Sequence, residues 1–382
     1  MASTWWKKLQ QNSLAKFGAT VLIIFYLTVA FAELTAPYGP YEQQASGSLL
    51  PPTTVYWRDQ TSGQFIGPHV YPATQGSVDI ETGEREMMTD FSAPSPIRLW
   101  VKGSEYNLFQ LKLPFVQSIS FEDSMQLEEV ELFRGITFDR HLFGTVGEGR
   151  WNIFGTDESA RDQLSRLIHG GRISLSIGLV GIIITFPLGL LIGGISGYFG
   201  GAIDTEIMRV VEVIMTIPGF FLLVTLAAVL PAGLSSSQRF LLIVLILSFI
   251  GWTGLARIIR GEVLSLKERT FVQASQAMGG RSLHIILRHI LPQTATYVII
   301  SATLAIPGYI LSESALSFIG LGIQQPDASW GNMLSSATNA SILVLHPWLI
   351  WPPAALIVIT VLCFNLLGDG LRDALDPRSL EE

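Results

Sequence analysis

Three ionisable side chains stand in otherwise apolar stretches: Arg209, Glu212 and Glu313. A charge at the centre of a membrane helix costs at least about 2.5 kcal/mol unless it meets water or a partner, so such residues mark ion pairs, gates or solute paths. Arg209 and Glu212 are three apart, the spacing that lets two side chains pair on one helical face. A structural lock and a gate both fit that pair. Glu313 has no basic neighbour in sequence, and reaches the headgroups or borders an aqueous path. Other chemistries find no support. The six His residues form no His-Glu-x-x-His helix, and without any Gly-Lys pair the chain lacks a phosphate-cradling Gly-Lys-Ser/Thr loop. Cys363 is the single cysteine, which excludes an intrachain disulfide and argues against a Cys-based metal site.

The elements that must position these residues follow from composition. Hydrophobic residues make up 49% and charged residues 14% of the 382 residues, with a mean hydropathy of +0.42, more apolar than a soluble globule and suited to contact with lipid. Of the 31 acidic residues, 18 fall between positions 37 and 162. The net charge of -7 is therefore mainly that of one polar insert, and no nucleic-acid partner is expected. A bilayer core of about 30 Å needs roughly 20 apolar residues of helix. Six segments meet or approach that length, over about 17–36, 173–199, 207–230, 240–256, 294–316 and 348–367. The expected fold class is all-α, a polytopic bundle of about six membrane helices with a β-containing extracytoplasmic insert. Gly189, Gly193 and Gly197 recur every four residues on one face of the second span, where small residues let a neighbouring helix approach closely. Pro187 and Pro218 favour bends within the second and third spans.

Orientation follows from Lys and Arg in short loops. Lys7, Lys8 and Lys16 precede the first span, and the loop from Arg257 to Pro292 carries six basic residues against Glu262 and Glu268. Both are expected in the cytoplasm, with both termini. The loop from Ser317 to His346 has no Lys or Arg and faces outward. Ala30-Phe31-Ala32 imitates a signal-peptidase site after an apolar core, and an uncleaved anchor is the preferred reading. Residues 37–155 form the insert, with β-prone runs at 97–101 and 106–113 separated by Lys102-Gly103-Ser104-Glu105. Residues 156–172 carry an amphipathic pattern and are expected as an interfacial helix, capped by Thr156 or Asp157 and ended by Gly170 or Gly171. A packed helix of the insert fits the same periodicity.

The most specific signal lies in loop 266–293. Gln273-Ala274-Ser275 is a small-residue triplet, Gly279 follows, and Ile290-Leu291-Pro292 closes the segment. A small-residue helix packs closely on a partner, Gly279 lets the chain turn and Pro292 interrupts it before the fifth span. This resembles the EAA loop of ABC importer permeases. Further segments, in the same order as in the family, resemble the peptide and nickel permease branch: Gly155-Thr156-Asp157 with Arg161-Asp162 and Ser165-Arg166; Leu316 to Gly322 with Ser329-Trp330-Gly331; and Leu367 to Pro377. The resemblance implies a type I ABC importer permease core over 173–368 and a cytoplasmic tail over 369–382, in a bacterial-type inner membrane that the chain crosses several times. It also implies a second permease subunit, two cytoplasmic ABC ATPases and an extracytoplasmic substrate-binding protein. ATP is then bound by the partner and no cofactor by this chain, a non-catalytic permease for peptides, nickel complexes or related solutes. Gln273 stands where the family carries an acid, Ser275 and Ala160 replace Ala and Gly, and the insert is longer than in common dipeptide permeases. A secondary transporter or channel is the alternative, and leaves this loop unexplained.

Overall fold

The structure, a computed structural model, describes residues 2–78, 85–108, 111–116, 127–133, 135–231 and 233–375. Asn12 separates α1 (Ala2–Gln11) from α2 (Ser13–Ala30). Its side-chain oxygen accepts from the N–H groups of Leu14 and Ala15 at 3.1 Å each, satisfying two donors that the first turn of α2 leaves orphaned. The first span thus begins before Phe17 and stops at Ala30, with a short α3 (Ala32–Thr35) after it.

The insert holds β1 (Tyr56–Arg58), β2 (Phe65–Val70), β3 (Ala73–Val78), β4 (Arg85–Thr89), β5 (Ser95–Leu108), β6 (Leu111–Val116), β7 (Leu127–Phe133) and β8 (Ile136–Thr145). A four-stranded antiparallel sheet runs β1-β2-β5-β8, with β3–β4 and β6–β7 as separate hairpins. The Lys102 to Glu105 segment does not divide two strands. It is an irregularity inside β5, where the register against β8 shifts between Lys102 and Tyr106, because Gly103 lets the backbone lie against the His141 ring. Nδ1 of His141 donates to the Ala36 carbonyl at 2.7 Å, and Arg172 pairs with Glu33. The sheet and α4 (Gln163–Phe199) are thereby tied to the end of the first span.

No separate interfacial helix occupies 156–172. Asp162 rather than Thr156 or Asp157 caps α4, accepting from the Ser165 N–H at 2.7 Å, and the helix runs unbroken through Gly170 and Gly171 to Phe199. These glycines serve close approach instead of termination. A Cβ on Gly170 would meet Ala328 at 3.2 Å, and one on Gly171 would meet Val29 at 2.7 Å. Thr156 stays outside the helix, accepting from the Leu50 N–H at 2.8 Å.

Next come α5 (Gly201–Thr216) and α6 (Gly219–Ala228), one apolar stretch bent by 80° at Ile217-Pro218. Pro187, by contrast, lies within α4 without ending it. Helix α7 (Ser236–Leu266) starts at a capping box of Ser235 and Gln238 and extends beyond the expected Ala256, so Arg257 and Arg260 are helical rather than looped. After α8 (Thr270–Ala277) and α9 (Ser282–Ile285), a π turn and a 3-10 turn lead into α10 (Ala295–Phe318). Short α11 (Trp330–Leu334) and α12 (Ala340–Leu345) precede α13 (Trp351–Leu375). Residues 369–375 of the expected tail continue α13 as helix, and residues 376–382 lie outside the described residues. Among the described residues five helical tracts are long and apolar enough to cross a membrane, or six with the bent pair counted as one span.

Close approach of α4 and α7 organises the bundle. A Cβ on Gly189 would lie 2.8 Å from Leu255, and one on Gly197 would lie 2.7 Å from the Arg260 carbonyl; Gly193 abuts the Ala256 backbone. The three glycines thus have the packing role that their spacing predicts. Leu22, Leu175, Ile243, Ile310, Trp330 and Phe364 join α2, α4, α7, α10, α11 and α13 in one buried cluster.

Candidate functional site

Loop 266–293 is built as a rigid projection. Ser275 accepts from the Gly280 N–H at 3.0 Å and Gln276 accepts from the Gly279 N–H at 2.9 Å. This pair of bonds is a Schellman turn, which requires a left-handed residue at its fifth position. Gly279 supplies it with φ +79°. Gly280 is equally constrained, since its Cβ would meet the Ser275 carbonyl at 2.8 Å. Beneath the turn Val272, Ile285 and Ile290 are buried with Leu255, Ile259 and Val263 of α7 and Phe186 of α4. Ser275 is buried, Leu291 half-buried, and Gln273, Ala274, Gly279 and Pro292 are exposed. Gln273 Nε2 donates to the Glu268 carbonyl at 3.2 Å, and Gln276 Nε2 donates to the Tyr198 hydroxyl at 3.2 Å. Phe271, Met278, Leu283 and Leu287 are exposed on the loop. An added Cβ at Gly279 meets nothing within 4 Å, so any tight contact there must come from another molecule.

The loop joins two walls of an open cavity of about 500 Å³ lined by α4, α6, α7 and α10. Leu255 on α7 and Tyr297, Ser301, Tyr309 and Ser312 on α10 line it, with Phe220 just after the bend. Its lining holds no charged residue. The Tyr309 hydroxyl donates to Thr185 at 2.6 Å, so the walls are apolar with a few hydroxyls. These lining residues were not expected from the sequence, although Ser301, Ala305, Gly308 and Ser312 recur as a small-residue face of α10 at helical spacing.

Arg209, Glu212 and Glu313 do not line this cavity. Glu313 is fully buried within the chain. Ser317 donates to it at 2.6 Å and Ser174 at 3.4 Å. Those hydroxyls in turn accept the backbone N–H groups of Ile323 and Trp330, each at 3.0 Å. The carboxyl group is the hub that fastens segment 319–330 to α4 and α10. Beside it is a second buried network missed in the sequence. Asp157 pairs with Arg161 and Arg166 at 2.8 and 3.3 Å, and both arginines donate to the Pro326 carbonyl at 3.1 Å. Its signal was Asp157, Arg161 and Arg166 crowded ahead of an apolar run. Arg209 and Glu212 do pair, at 3.6 Å, but as exposed side chains of α5, far along the chain from Glu313.

A polytopic apolar bundle with an uncharged open cavity, a bent span and a buried-footed loop joining two cavity walls has the build of a membrane permease. Residues 189–381 match the family of binding-protein-dependent transport system inner membrane components. Residues 2–52 match the N-terminal TM domain of oligopeptide transport permease C. The chain belongs to the first family and is a multi-pass inner-membrane permease subunit of an ABC importer. The oligopeptide transport system permease protein OppC of Haemophilus influenzae is 44% identical over 60% of this chain and 71% of its own length. The dipeptide transport system permease protein DppC of Bacillus subtilis is 43% identical over 59% and 68%. A chain of the MetNI methionine ABC transporter in an inward facing conformation is similar with a TM-score of 0.43 at 18% identity, over 56% of this chain and 97% of that one.

Proposed function

We propose that this permease pairs with a second permease subunit to form the path of an ATP-driven peptide importer, and that loop 266–293 is its joint to a cytoplasmic ATPase. The observation that carries this reading is the continuity of the loop with both cavity walls: α7 runs into it and α10 out of it. Tyr297 lines the cavity only three residues beyond Thr294, where the loop's last turn ends. Because Val272, Ile285 and Ile290 bury the loop against α7 and α4, a pull on the exposed triplet moves helices rather than a slack connection. Closure of two ATPases on bound ATP would bias the cavity toward the outward-facing state. The permease itself binds no ATP in this scheme.

Peptide cargo is supported by the names of the relatives and by cavity walls that mix apolar groups with hydroxyls and carry no charge. An extracytoplasmic binding protein would set most of the selectivity. The positive-inside bias places both termini and the loop in the cytoplasm and the insert outside. Reporter fusions after residue 16 and near Ser104 should therefore read cytoplasmic and external. The functional test is uptake of a labelled oligopeptide into vesicles holding the permease pair, the ATPases and loaded binding protein. Uptake should require ATP. Peptide uptake by the chain alone, driven by an ion gradient, would favour the secondary-transporter alternative.

A further inference from the structure

A cleft of about 290 Å³ opens between α5 and α7, at the end of the bundle that carries loop 266–293. Asp204, Arg209, Glu212, Arg257 and Arg260 line it, so three guanidinium groups face two carboxylates. Two of the three are engaged. Arg260 donates to Asp204 through Nε at 2.9 Å and Nη2 at 2.5 Å, and Asp204 also accepts from Ser196 at 2.5 Å. Arg209 faces Glu212. Arg257 is exposed, and among the described residues it has no hydrogen-bond or ion-pair partner.

Its depth suits a headgroup. A hydrocarbon core of about 30 Å takes roughly 20 residues of helix. The apolar run of α7 ends at Leu255-Ala256, immediately before Arg257, so the free guanidinium stands where that run meets the polar boundary.

We propose that this cleft binds the phosphodiester of an anionic phospholipid, with Arg257 as the principal ligand and Arg209 as the second. Guanidinium groups grip phosphate oxygens in bidentate fashion, and basic pockets between membrane helices take phosphate-bearing headgroups. A bound lipid braces α5 against α7, the helix that leads into loop 266–293. The site requires only the membrane and stands independently of the ATPase assignment.

The test is native mass spectrometry of the full chain, alone and within its purified complex, after exposure to phosphatidylglycerol or phosphatidylcholine. Inorganic phosphate serves as competitor. Wild type should retain the anionic lipid at least about tenfold over the zwitterionic one, and Arg257→Ala should remove about that factor. Arg257→Lys should keep part of it. Because Arg257 has no internal partner, thermal stability should be unchanged in both variants. Equal retention of the two lipids, or full retention of phosphatidylglycerol by Arg257→Ala, overturns the assignment. Displacement of the lipid by phosphate would make the cleft a free-phosphate site. Retention by the isolated chain but not by the complex would make it a subunit interface.

Discussion

Removing the Glu313 carboxyl group should loosen segment 319–330 while leaving the membrane helices in place. In Glu313→Ala, the hydroxyls of Ser317 and Ser174 lose their acceptor in a site with essentially no solvent contact. A buried donor left unpaired costs about 1–3 kcal/mol. The 2.6 Å bond from Ser317 falls toward the upper end and the 3.4 Å bond from Ser174 toward the lower. The sum is about 2–4 kcal/mol, and it falls on the loop, because those two serines hold the Ile323 and Trp330 N–H groups. Glu313→Gln keeps one acceptor and fills the same space, so it should cost about 1 kcal/mol, the net worth of one neutral hydrogen bond. Hydrogen–deuterium exchange of peptides over 319–333 is the assay. Glu313→Ala should exchange roughly 30 to 900 times faster there than wild type, at about 1.4 kcal/mol per tenfold, and peptides from α7 should be unaffected. Unchanged protection at Ile323 and Trp330 would refute the tether.

Packing and titration give two further tests. Gly193→Leu drives a side chain into the Ala256 backbone and Ile259, overpacking worth about 1–3 kcal/mol, and should lower the Tm in detergent, whereas Gly261→Leu on α7, where an added Cβ meets nothing within 4 Å, should be tolerated. Burial pushes the Asp162 carboxyl up to about 6, against the opposing pull of its bonds from Ser165 and of Arg150. A folded pKa above the unfolded value of about 3.9 means that ionisation destabilises the fold; the penalty is complete above about pH 6 and fades as pH falls toward 4. The protein should be about 1 kcal/mol more stable at pH 5 than at pH 7 through this group. Asp162→Asn, which can still cap α4, should flatten that difference in Tm.

Span count, insert and loop were legible because each rests on local chemistry: apolar runs of bilayer length, turn-rich β-prone sequence, and a small triplet with Gly and Pro at fixed spacing. What escaped depended on neighbours distant in sequence. Gly170-Gly171 reads as a helix stop, yet it is a landing for Ala328 and Trp330 from a segment some 160 residues later. Gly103 likewise reads as a turn until His141 is seen pressed against it. The charges of the 156–172 segment suggest a solvated face, whereas Arg166 is buried against Pro326 and Asp157 and Asp162 is buried against Ser165. Glu313, conspicuous as an isolated acid, has hydroxyl partners that no charge pattern reveals.

Coupling of the cavity to an ATPase through loop 266–293 can be read from ATP hydrolysis of the reconstituted complex carrying Gly279→Leu. Within this chain an added Cβ meets nothing within 4 Å, and the left-handed backbone adds strain of about 1–2 kcal/mol, so the variant should still insert. Its side chain projects from the proposed docking face. Gln273→Ala removes one neutral contact and should reduce coupling mildly. The prediction is that loaded binding protein no longer stimulates hydrolysis in Gly279→Leu while Gln273→Ala keeps most of the stimulation; wild-type stimulation in Gly279→Leu would contradict the claim.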